Sequence, residues 1–151
     1  MIWTSKDRWQ LALIALCVAF AFLDFMIETA LPRLHGRVAP AVGPLVITDI
    51  SPGNNDYLSR VAGHAEKNND CAFVRVAWAL GSRGGRYASV SAKFLDRPTI
   101  REQGVQTWER LMVDLEASQI RNNSFGTVFH DCGLPWLVKT PFYDPTEAIG
   151  G

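Results

Sequence analysis

The feature that most restricts this chain is an unbroken apolar run from Leu11 to Leu23, which continues through Phe25, Met26 and Ile27 with only Asp24 interrupting it. Lys6, Asp7 and Arg8 precede it, Trp9 stands at its border, and Leu31, Pro32 and Arg33 close it. A helix from about Trp9 to Leu31 matches the roughly 20 apolar residues that a bilayer core requires. A buried helix of a soluble fold would carry one polar stripe at a spacing of about 3.6 residues, whereas this run is apolar on every side. A cleaved secretory signal fits the Lys6 and Arg8 flank, but its cleavage site is poor: Ala19 and Ala21 lie inside the run, and a cut after Ala30 puts Glu28 where a small residue is wanted. Leu16 ahead of Cys17 speaks against a lipoprotein signal. The retained anchor is the preferred reading, with residues 1–32 as N-terminal tail and transmembrane helix.

Orientation is not decided by charge alone, because Lys6 and Arg8 on one flank face Arg33 and Arg37 on the other. The short N-terminal tail and the larger C-terminal part fit an N-terminus in the cytoplasm and an exported body on the inner membrane. Asp24 and Glu28 are four apart and share a helix face. They are either an intramembrane pair for a partner helix or, preferably, groups within two turns of the helix end that reach the headgroups.

What remains after the anchor is about 100 residues, enough for one domain. From Gly43 onward 11 Lys and Arg stand against 12 Asp and Glu. That balance leaves no basic field for a nucleic-acid backbone. A core this small is marginal without a staple. Cys17 lies in the apolar run, so Cys71 and Cys132 are the pair left in the exported part, where disulfides persist. Closing a loop of about 60 residues is worth roughly 4 kcal/mol as an upper figure.

Gly36, Pro40, Gly43 and Pro44 resist helix and strand alike, and residues 33–43 read as a tether. Runs rich in β-branched and aromatic residues follow, separated by turn clusters, a pattern that predicts a mainly β domain over 44–143, a small Ig-like antiparallel sandwich. The expected strands are Leu45 to Ile50, Tyr57 to Ala65, Cys71 to Leu80, Tyr87 to Leu95, Val105 to Leu115, Phe125 to Cys132 and Trp136 to Thr140. In the third, Ala72, Val74, Val76, Trp78 and Leu80 share one face. Val105 to Leu115 suits a helix nearly as well, and is assigned to strand because its neighbours are strands. Residues 144–151 read as a disordered tail.

Chemistry-bearing constellations are sparse. His64, Cys71, His130 and Cys132 are the residues that could make a soft-metal site, but no His or Met follows Cys132 as a blue-copper site requires, and the close cysteine pairs of structural zinc are missing. Ser89 and Ser91 lack a strained Gly-flanked elbow, and Asp49, Asp56, Asp70, Asp114 and Asp131 show no evident paired placement. No metal, cofactor or catalytic residue is assigned. Trp78, Trp108 and Trp136 suit the core of a sandwich better than an exposed platform, with Trp108 and Trp136 retained as candidate exposed contacts.

Two stretches carry a resemblance: Gly63, Lys67, Asp70 and Cys71 followed by Val74 and Trp78, and then His130, Cys132, Leu134, Pro135, Trp136, Thr140 and Phe142. Over Val61 to Tyr143 the chain resembles small single-pass envelope proteins encoded by bacteriophages and prophages, each with one apolar helix and a compact exported β domain. Such proteins tend to carry a Phe-Gly-Pro-Trp-like piece between the two stretches, and here Gly104 to Trp108 keeps only the tryptophan. The resemblance implies the anchored, disulfide-closed sandwich and names no reaction. The expected function is a non-catalytic binding or structural protein with the bilayer and an envelope protein as partners. The alternative is an accessory subunit of a larger membrane complex, docked through Asp24, Glu28 or the small residues Ala15, Ala19 and Ala21, with a secreted metal-binding domain as a distant third.

Overall fold

The computed structural model describes residues 5–54, 56–95 and 102–145. Helix α1 (Ser5–Phe25) runs into a π-helical turn (Met26–Ala30) and then α2 (Leu31–Val38). The rod is long and apolar enough to cross a membrane, and none of its most apolar 18-residue window is buried. Leu13, Ile14, Phe20 and Phe22 stand 58–64% exposed.

The helix does not stop at Pro32, and residues 33–38 of the expected tether are helical. The π turn explains how. Proline has no N–H for the carbonyl four residues back and its ring crowds that oxygen, and here the widened turn lies just before it, with the Leu31 N–H bonding to the Met26 carbonyl. Glu28 O, the oxygen four residues before Pro32 to which proline cannot donate, accepts a hydrogen bond from Lys139 Nζ at 2.9 Å.

Eight strands follow: β1 (Val46–Asn54), β2 (Tyr57–Lys67), β3 (Ala72–Gly81), β4 (Tyr87–Val90), β5 (Ala92–Phe94), β6 (Gly104–Val113), β7 (Ser124–Asp131) and β8 (Val138–Tyr143), with a short α3 (Ala117–Asn122) before β7. They form two antiparallel four-stranded sheets, ordered β1-β2-β6-β5 and β4-β3-β7-β8. The ambiguous segment after Gly104 is a strand. The run expected as one strand from Tyr87 to Leu95 is two: β4 pairs with β3, Ser91 intervenes, and β5 crosses to pair with β6 in the other sheet. The period-two alternation survives the switch, which keeps Val90, Ala92 and Phe94 against the core and hides the break from the sequence pattern. The expected tail lies outside the described residues beyond Pro145, which is itself buried.

One core joins the sheets, built from Val61, Leu111 and Val113 on one side and Val76, Trp78, Val128 and Phe142 on the other. Val74 does not join them. A register shift between Phe73 and Arg75 turns it outward to 46% exposure, as an extra residue in a ladder does. Trp78 is 1% exposed and satisfied: its Nε1 donates to Ser124 Oγ at 3.0 Å, Ser124 donates on to Ile120 O, and Tyr143 stacks on the indole at 5.2 Å while its hydroxyl donates to the same Ile120 carbonyl. α3 is fixed by a capping box between Glu116 and Gln119. Cys71 and Cys132 form a disulfide, with Cα atoms 4.4 Å apart, clamping the entry of β3 to the exit of β7. The disulfide points to an exported domain, and the N-terminal helix has the form of a membrane anchor or a signal sequence.

Candidate anion-binding groove

The outer face of the β4-β3-β7-β8 sheet is a groove of about 480 Å³ with α2 as one wall. Its shape follows from strand alternation. With Val76 and Trp78 turned to the core, β3 presents Arg75, Ala77 and Ala79 outward, and Ala77 faces Thr127 across the ladder. These small side chains leave the middle of the floor low. At one end Arg75, Phe129 and Lys139 form a cross-strand row. At the other, Arg83 folds back from the turn after β3, donating from Nη1 to Thr127 Oγ1 at 3.1 Å and from Nη2 to Gly126 O at 3.0 Å.

α2 completes the enclosure. Pro32 and Gly36 are buried, and a Cβ on Gly36 would overlap the Lys139 carbonyl. That contact seats α2 on β8, and Arg33 and Arg37 line the groove from the helix.

Five cationic side chains therefore converge, and no carboxylate, imidazole or thiol is among the lining residues. Arg83 Nε lies 3.5 Å from Asp144 Oδ2. Arg33, Arg37 and Arg75 have no ion pair among the described residues. Two of the guanidinium groups rest on rings, Arg75 over Phe129 at 4.2 Å and Arg83 over Phe125 at 4.9 Å, contacts that hold a cation without neutralising it. The lining can bind an anion by charge, by planar guanidinium forks and by the hydroxyls of Ser89 and Thr127. The balanced charge count conceals this field, because the cations come from α2, β3, the turn after it and β8. Two signals point to it in retrospect: Arg33 and Arg37 at helical spacing, and Arg75 at an outward position beside alanines.

The other candidate residues lie elsewhere. Ala15, Ala19 and Asp24 are exposed along α1, as is Glu28 in the π turn, and Cys17 is a free, exposed thiol. Trp108 is not an exposed contact. It is half-buried and packs against Phe94 and Phe142, each ring 5.6 Å away, because β6 turns it toward the core. Trp136 is half-buried, with a buried Nε1 that has no hydrogen-bond partner. His64 is on β2 and His130 on β7, in different sheets, and both candidate cysteine ligands are tied up in the disulfide. Among the described residues no group of three or more His, Cys, Asp or Glu could hold a metal. Burial, aided by the charge of Lys67, pushes the His130 imidazole down to about 4. Comparison with protein-family models, with curated proteins and with solved structures returned no match.

Proposed function

We propose that this chain is a non-catalytic binding protein of the bacterial envelope, held by α1 in the inner membrane with its N-terminus in the cytoplasm and its β body outside, where the groove meets its ligand. The observation that carries the reading is the exposed apolar rod, which lipid covers and water does not. Retention of the helix is supported by the way its end belongs to the body: Lys139 bonds to Glu28 and Gly36 packs on β8, so signal cleavage after Ala30 would remove a residue the domain holds.

The body is proposed to be an Ig-like sandwich. Taking β1 to β8 in turn as strands A, B, C, C′, D, E, F and G, the observed sheets are ABED and C′CFG, the order of that fold. A tryptophan buried on strand C fits as well. The disulfide departs from the antibody pattern, since it joins C to F within one sheet instead of bridging the sheets. An origin in phage or prophage genes, with a role in lysis or in altering the host surface, rests on the resemblance in the two sequence stretches around Cys71 and Cys132.

Alkaline carbonate extraction of membranes holding the full-length chain tests the proposal. Retention in the pellet, with the body digested by protease added to spheroplasts, is expected. A soluble chain, or a body protected in intact spheroplasts, contradicts it.

A further inference from the structure

We infer that the groove seats the phosphate of an anionic phospholipid headgroup, drawn from the leaflet on which the body stands. The inference rests on the anchored reading and adds the ligand.

Position is the first argument. If about 20 residues from Leu11 fill the hydrocarbon core, the core ends near Leu31. At about 1.5 Å per residue, Arg33 then lies about 3 Å and Arg37 about 9 Å beyond that boundary. Headgroups occupy roughly the first 5 to 8 Å outside the core, so the wall of the groove rises through the headgroup layer. A lipid is already concentrated there by the anchor itself, whereas a soluble anion must be captured from bulk.

Charge and shape agree with that position. Arg33, Arg37 and Arg75 are exposed and without ion pairs among the described residues, and a guanidinium fork matches two phosphate oxygens. The volume of about 480 Å³ falls within the range of small-ligand sites, roughly 300 to 1,000 Å³. Tyr87, exposed and packed edge to face on Phe125, lines the groove beside the cations and offers an apolar ring face suited to the glycerol and first acyl carbons of a lipid. A basic pocket of this kind beside a membrane helix is the chemistry by which headgroups are recognised.

Native mass spectrometry of the delipidated full-length chain, released from detergent after addition of dihexanoyl phosphatidylglycerol, dihexanoyl phosphatidylcholine or inorganic phosphate, tests the inference. The anionic lipid is expected to be retained at least tenfold more tightly than either of the others. The triple variant Arg33→Gln, Arg37→Gln, Arg75→Gln is expected to lose at least tenfold of that retention, since each cation near an anionic surface is worth about fivefold. Arg60→Gln with Lys93→Gln, which removes charge on the other sheet, is expected to leave it unchanged. Equal retention of both lipids, phosphate held as tightly as the lipid, or undiminished binding by the triple variant would overturn the assignment. Carbonate extraction of the membranes from which the chain is purified, before detergent is added, separates the two readings: a chain that pellets with membrane yet shows no lipid preference loses the ligand alone, and a chain that does not pellet loses the anchor.

Discussion

Gly36 and Lys139 lie against each other so closely that a Cβ on the glycine would overlap the lysine's backbone carbonyl oxygen. This is where the helical rod is seated on the β body, and it leaves no room for even a methyl group. Gly36→Ala is expected to lift α2 from β8, destabilising the junction by about 1–3 kcal/mol as overpacking does. Limited proteolysis should show new cleavage between Pro32 and Pro40, with the body itself intact.

Lys139 and Pro32 form a testable pair through Glu28 O. Lys139→Met removes the donor to that carbonyl and is expected to weaken the junction by about 1 kcal/mol. Pro32→Ala supplies a backbone N–H and is expected to restore most of that loss in the double variant. Hydrogen exchange across Met26 to Val38 reads both effects, and additive losses would contradict the role given to the lysine.

Trp78 lies directly on Gly126, its register partner across β3 and β7, and a Cβ there would stand 2.9 Å from the indole. Gly126→Ala is expected to lower stability by about 1–3 kcal/mol and to change the tryptophan fluorescence. Gly84→Ala, with nothing within 4 Å of the added atom, is expected to be nearly neutral in the same thermal unfolding assay.

His130 makes stability depend on pH. Its folded value, about 4, lies below its ordinary value of 6.5, so between those limits the unfolded chain binds more protons than the folded one. The contribution is complete above pH 6.5 and falls as the solution is acidified towards 4, by at most about 3 kcal/mol. Urea midpoints at pH 7.5 and pH 5 should differ in that direction, and His130→Gln should flatten the difference.

The sequence was most legible where one residue property decides the outcome. The run from Leu11 to Leu23 marked a long apolar helix, and Cys71 and Cys132 were the pair left once Cys17 was placed in it. Elsewhere the deciding partner was distant in the chain. Pro32 ends a helix by its own chemistry, and the bond from Lys139 to Glu28 that accompanies its continuation spans the whole body. Ser91 divides a strand whose alternation never breaks. α3 begins at Glu116, outside the usual Ser, Thr, Asp and Asn caps. Trp108 has the same composition signal whether it faces solvent or Phe142. The groove was the least visible, because cations dispersed among acidic residues along the chain are gathered on one face by the pairing of β3, β7 and β8 and by the seating of α2 on β8.

The most direct test of the central claim is the intact mass of the protein recovered from carbonate-washed membranes and alkylated under denaturing conditions, with and without prior reduction. An uncleaved apolar helix attached to a disulfide-closed body predicts the uncleaved N-terminus, one alkyl group at Cys17 before reduction and three after it. Loss of about the first 30 residues, the signature of a cleaved signal, or three alkyl groups without reduction, would contradict it.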